Sequence, residues 1–210
     1  MDNRYNLCFC LDNNFIPSLK YVFKTFIKFN DPKLYNIHLI TYNIPDTNLI
    51  KEELLKLSKL LNIYLYDFIP DKELIELLNY KHLIYNMGIP NESINILYNI
   101  GNWSRFYISK LLDVNYCLYL DLDILFAGSI LDLVKDTPKN NILGAIPYDI
   151  KLRDRQNITL NSNIFKNLTD KNLIQKFELD PFFLDIYAYN CGVIYYNLNL
   201  WKKHNLTSKI

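Results

Sequence analysis

Glycine is scarce in this chain, with 5 among 210 residues, and no low-complexity linker interrupts it. With no shift in composition along the way, the length suits one well-packed domain, residues 1–210, better than two. Net charge is nearly absent. It stands at +1, with acids and bases interspersed and no polybasic face, which argues against nucleic acid as a main partner. No apolar run reaches the roughly 18 residues of a membrane span. The Met-Asp-Asn-Arg start has no apolar signal segment, so a cytoplasmic location is expected. The four cysteines, Cys8, Cys10, Cys117 and Cys191, form no C-x-x-C pair and sit in apolar runs, which predicts buried free thiols. His38, His82 and His204 follow no metal-ligand spacing and read as structural or exposed.

Half of the residues are hydrophobic, with 17 Tyr and 12 Phe, enough for a large core. Tyr5 to Leu11 reads as a short strand closed by Asp12-Asn13-Asn14. Phe15, Ile16, Leu19, Val22, Phe23, Phe26 and Ile27 then recur at helical spacing, with Pro17 in the first turn. Tyr35 to Thr41 is a second strand, Asn48 to Leu61 an amphipathic helix, and Ile63 to Phe68 a third strand. Lys72 to Leu78 is helical, residues 79 to 101 irregular, and Trp103 to Leu112 helical again. This alternation predicts an α/β fold with a mostly parallel sheet covered on both sides. Ligands of such sheets bind beyond the carboxyl ends of the strands.

At the next strand the apolar run Tyr116-Cys117-Leu118-Tyr119-Leu120 meets Asp121-Leu122-Asp123 and resumes as Ile124-Leu125-Phe126. Read as one continuous strand, it points Asp121 and Asp123 to the same face. Two desolvated carboxylates repel unless a cation lies between them, and oxygen ligands suit Mg²⁺ or Mn²⁺ rather than zinc. Asp12 also ends a strand and is a candidate for the same cleft. Each residue has a plainer reading. Asp12 is a turn or cap residue, Asp121 and Asp123 are surface acids, Arg105 is a solvated helix residue, Phe15 is core, and Asn190 satisfies backbone groups. A haloacid-dehalogenase-like phosphatase also places Asp-x-Asp after a strand. Leu125 and the later Asn-x-Gly-Val block fit that reading poorly.

Three segments resemble glycosyltransferase family 8, the retaining GT-A enzymes that include bacterial lipopolysaccharide galactosyl- and glucosyltransferases and glycogenin. Phe9-Cys10-Leu11-Asp12-Asn13-Asn14-Phe15 is similar to the family's first strand and turn. Ser104-Arg105-Phe106 followed by Tyr119-Leu120-Asp121-Leu122-Asp123-Ile124-Leu125 resembles its A-R-L helix and Y-L-D-x-D-x-L strand. Tyr189-Asn190-Cys191-Gly192-Val193, continuing to Asn197-Leu198 and Trp201, resembles its F-N-A-G-V-x-x-x-N-L-x-x-W block.

The resemblance implies a GT-A fold, a single Rossmann-like domain with a mostly parallel central sheet flanked by helices. It implies metal-dependent, retaining transfer of a hexose from a UDP-sugar, UDP-glucose before UDP-galactose, to a glycan, lipid or protein acceptor. A non-catalytic nucleotide-sugar-binding module is the alternative, and the oligomeric state is open, a homodimer included. By the same resemblance Asp12 reads the uracil edge, Phe15 stacks on the base, and Asp121 and Asp123 hold Mn²⁺ or Mg²⁺. Arg105 meets the phosphates and donor sugar. Asp149 holds sugar hydroxyls, and Asn190 and Cys191 line the sugar. Gly192 admits close backbone approach. Cys10 and Leu122 belong to the same binding motifs. Arg105, Asp149 and Asn190 are the expected catalytic group. The family's later Asp-Gln segment and its His-x-x-Gly-x-x-Lys-Pro-Trp block, which supplies a third metal ligand, do not occur before Ile210. Either the chain is a fragment of a longer enzyme or the protein is naturally short, and weaker metal binding is expected only in the second case.

Overall fold

The structure, a computed structural model, describes residues 3–79, 99–135, 140–151 and 187–209. Six strands are present: β1 (Tyr5–Leu11), β2 (Tyr35–Thr41), β3 (Asn62–Asp67), β4 (Tyr116–Leu120), β5 (Leu143–Lys151) and β6 (Tyr187–Asn197). They lie in one sheet in the order β3-β2-β1-β4-β6-β5. The β1–β2, β2–β3 and β1–β4 pairs are parallel, and β4–β6 is antiparallel. The expected mostly parallel sheet flanked by helices is therefore present. The chain divides into two compact units. One comprises Met1–Ile69, Ile100–Ala145 and Cys191–Ile210, the other Pro70–Asn99 and Ile146–Asn190. In the second unit the Lys72–Asn79 helix buries Leu74 and Leu78, and Asp71 Oδ1 caps it by accepting from the Leu74 amide at 3.0 Å.

In the first unit, alternate strand residues face one core. Leu7, Phe9 and Leu11 of β1, Ile37 and Leu39 of β2, Ile63 of β3, and Leu118 and Leu120 of β4 all join it. Over them lie α1 (Ile16–Phe29) and α2 (Thr47–Leu57). The helical spacing read in the sequence places Leu19, Val22, Phe23 and Phe26 of α1 inward, and Phe23 meets Phe9 with ring centroids 5.3 Å apart. Asp46 caps α2, accepting from the Asn48 amide at 3.1 Å.

The opposite sheet face is polar at its amino-terminal end. Register aligns Asn6, Asn36 and Asn62 across three strands. Asn36 Nδ2 donates to Asn6 Oδ1 (3.2 Å) and Asn62 Nδ2 to Asn36 Oδ1 (2.7 Å). Asn6 Nδ2 donates in turn to the Tyr116 carbonyl (3.2 Å). This ladder satisfies amides that would otherwise be costly to bury. It borders a cavity of about 730 Å³ that Tyr5, His38, Tyr64, Tyr116 and Tyr195 also line.

Four expectations need correction. α2 stops at Leu57 rather than Leu61, because Ser58 turns extended and its hydroxyl accepts from the Leu60 amide (3.2 Å), which frees buried Leu61 to lead into β3. The stretch read as one helix from Trp103 to Leu112 is three short turns, Ile100–Trp103, Ser104–Tyr107 and Ile108–Leu111, the middle one a 3₁₀ helix. β4 ends at Leu120, so Asp121 and Asp123 lie beyond the strand, not within it, and Leu125 is 68% exposed. Among the cysteines, which are all free, Cys8 and Cys117 are buried, but Cys10 is half-buried and Cys191 exposed. The part of the irregular stretch at 80–98 and His82 lie outside the described residues.

Candidate active site

Sheet order brings the motifs together. β4 lies between β1 and β6. The carboxyl end of β1, leading to Asp12, and that of β4, leading to Asp121, are neighbours because the two strands run parallel. β6 runs the other way, so its Cys191-Gly192 step arrives at the same edge. The Asp121 amide donates to the Gly192 carbonyl at 2.8 Å, and this bond ties the acidic segment to the third motif. Segments about 70 to 110 residues apart thus share one edge through backbone pairing alone.

Asp12 caps the first turn. Its Oδ1 accepts from the Asn14 amide (2.9 Å), its Oδ2 from Asn14 Nδ2 (3.4 Å), and its carbonyl from the Phe15 amide (3.1 Å). Phe15 is half-buried and packs against the core. The plain cap and core readings of both residues thus describe interactions that exist. They leave Asp12 held rigidly at the sheet edge.

Arg105 is the hub. The buried Ser104 hydroxyl donates to the Gly101 carbonyl (2.6 Å) and fixes the turn that carries it. Arg105 Nε donates to the Asn102 carbonyl (3.0 Å) and Nη1 to the Cys191 carbonyl (3.2 Å). Nη1 also lies 3.3 Å from Asp121 Oδ1, and the guanidinium sits 5.1 Å from the Tyr119 ring centre. Burial disfavours the Arg105 charge, but Tyr119 and Asp121 offset this and move its pKa above the ordinary value. Sequence reasoning missed Tyr119. It is 1% exposed, and its hydroxyl donates to Asp121 Oδ1. Burial foremost pushes the phenol well above its usual range, so it remains a donor. The available signal was its position: Tyr119 and Asp121 are spaced i, i+2 at the end of a strand.

The loop after Asp121 is anchored from beneath. Leu122 is buried in the core, so backbone groups are what it offers a ligand. Phe126 packs on Phe26 of α1 at 5.3 Å. Its amide donates to Thr25 Oγ1 (3.1 Å), and the Ile130 amide donates to Asn30 Oδ1 (2.9 Å). Asp123, between these anchors and β4, is exposed and forms no hydrogen bond or ion pair among the described residues.

The donor set fits a hard divalent cation. Asp121 Oδ1 is occupied by Tyr119 and Arg105, and among the described residues Asp121 Oδ2 and both Asp123 oxygens have no partner. Among the described residues no group of three His, Cys, Asp or Glu side chains is placed to hold a metal. Asp149 lies in β5 and Asn190 in β6, both in the second unit, and the Asp149 side chain is outside the described ones.

A family model described as Glycosyl transferase family 8 matches residues 6–210. No curated protein matches the chain. Among solved structures, the glycosyltransferase GlyE of Streptococcus pneumoniae TIGR4 is 15% identical with a TM-score of 0.58. The alignment covers 99% of this chain and 37% of that one. The galactosyltransferase LgtC, in complex with donor and acceptor sugar analogs, is 20% identical with a TM-score of 0.57, covering 97% and 61%. Core-mannan synthase A from Aspergillus fumigatus, in an Mn/GDP form, is 13% identical with a TM-score of 0.54, covering 100% and 63%. At these identities the likeness is one of fold, and the fold is GT-A. The chain spans less than two thirds of the length of each.

Proposed function

We propose that this chain, which belongs to glycosyl transferase family 8, moves a hexose from a UDP-sugar to an acceptor by metal-dependent, configuration-retaining transfer. The observation that carries this reading is the convergence of Asp12, Arg105, Asp121 and the Cys191-Gly192 step at one sheet edge, with Asp123 on the adjoining loop. UDP-glucose is the first donor to test and UDP-galactose the second. The acceptor is a glycan, lipid or protein.

In this reading Asp12 accepts from the uracil N–H and Phe15 offers a ring face to the base. Arg105 donates to phosphate or sugar oxygens while its other donors hold the Asn102 and Cys191 carbonyls. Asp121 and Asp123 hold Mn²⁺ or Mg²⁺, which when bound neutralises charge gathering on the departing diphosphate. Asp149 and Asn190 are assigned to the donor sugar with Cys191, and Gly192 lets the backbone approach. Among the described residues no carboxylate is evident as a nucleophile, which favours departure of UDP and attack by the acceptor on the same face over the two-carboxylate route. A nucleotide-sugar-binding module without transfer is the second reading. It is favoured by the lack of a third metal-ligating side chain among the described residues.

The test is thermal stability with UDP and Mn²⁺. A ligand at a hundred times its Kd adds about 2.7 kcal/mol, a rise of roughly 5–10 °C for a chain of this size. Asp123→Ala is expected to lose the metal-dependent part. No shift in the parent, or an equal shift in the variant, overturns the site. Metal-dependent hydrolysis across a panel of UDP-sugars separates enzyme from binding module.

A further inference from the structure

Resting on the metal site proposed above, we propose that Tyr119 is a positioning residue that sets how Asp121 presents its carboxylate to a divalent cation. The Tyr119 hydroxyl and Arg105 Nη1 both converge on Asp121 Oδ1, the latter at 3.3 Å. Oδ2 has no partner among the described residues. One oxygen is pinned, so the carboxylate offers the other to a metal in a fixed orientation. Left free to rotate about its last torsion, it would have to be ordered on binding. The pin is stiff. Tyr119 is 1% exposed, its ring is held in β4, and the guanidinium covers it at 5.1 Å. The backbone is fixed as well, because the Asp121 amide donates to the Gly192 carbonyl at 2.8 Å. Arg105 Nη1, which carries two N–H groups, holds the same oxygen while also serving the Cys191 carbonyl, so the Tyr119 hydroxyl is the one donor at Asp121 Oδ1 whose hydrogen is committed there alone. Phenolic hydrogen bonds to metal-ligating carboxylates act as outer-shell supports, and loss of such a partner lowers metal affinity by about 10–100-fold.

The experiment measures Mn²⁺ affinity by electron paramagnetic resonance, with and without UDP, in the parent protein and Tyr119→Phe. Phe keeps the ring beneath Arg105 and removes only the donor. Mn²⁺ binding is expected to weaken about ten-fold or more, with metal-free UDP binding unchanged and far-UV circular dichroism native. Parent-like affinity, within two-fold, in a folded Tyr119→Phe protein overturns the proposal. Should Phe not support folding, 4-fluorophenylalanine at position 119 fills the space without a donor. 4-Aminophenylalanine there restores an N–H donor. Weak binding in the first and recovery in the second supports the role, and equal affinity in the two overturns it. A parent protein that binds no Mn²⁺ even with UDP refutes the metal site itself, a different outcome from a Tyr119 hydroxyl that proves dispensable.

Discussion

Acid should destabilise this fold through one imidazole. His38 is 3% exposed, stacked on Tyr64 with ring centroids 5.1 Å apart and planes 14° from parallel. Asn6 Oδ1 lies 3.0 Å from Nε2 and the Tyr66 hydroxyl 3.0 Å from Nδ1. The Asn6 oxygen only accepts, so the proton sits on Nε2, and Nδ1 is left to accept from Tyr66. A neutral ring satisfies every contact. Burial lowers the His38 pKa from 6.5 to about 4. Because the folded pKa lies below the unfolded one, the unfolded chain takes up the proton first, and stability falls with pH through this window. It is fully present above about pH 6.5. The loss from His38 reaches about 2 kcal/mol at pH 5 and about 3 kcal/mol at pH 4, then levels off. Carboxylates add their own acid slope, so the measurement is a difference. Urea midpoints between pH 7.5 and 4 are compared for the parent and His38→Gln. The variant should be less stable at pH 7.5 but lose about 3 kcal/mol less on acidification. A His38 ring titrating near pH 6.5 by NMR, or parallel pH curves for the two proteins, refutes the argument.

The remaining predictions concern the support beneath the acidic loop and the core it rests on. Asn30→Ala removes the acceptor of the Ile130 amide and the donor to the Phe26 carbonyl, at 2.9 and 3.1 Å. It should cost about 1–3 kcal/mol in urea unfolding, and a neutral result would mean the loop finds another anchor. Phe23→Ala empties a fully buried site between Phe9 and Phe26. It should cost about 3–5 kcal/mol, and a loss under about 1 kcal/mol would contradict the close packing described.

Local pattern determined much of this protein. Apolar spacing marks Tyr5–Leu11 and Tyr35–Thr41 residue for residue, because a strand's alternation and its closing turn are written within a few neighbours. The inward face of α1 follows from the same kind of periodicity. The motifs around Asp12, Arg105, Asp121, Asp123 and Asn190 were legible as a set, since residue type and order survive in one dimension. Where β4 ends was not. Its apolar residues continue past Asp121, but after the Asp121 amide makes its bond to Gly192 the chain leaves the sheet and is held by Thr25 and Asn30, about a hundred residues away. Nor did any pattern single out Tyr119 or bury His38. Periodicity states which face a side chain takes, but its partner is chosen by sheet order and register. Only the placement of β4 between β1 and β6 brought Tyr119 and Arg105 to one oxygen of Asp121, with the Cys191 carbonyl on the same guanidinium.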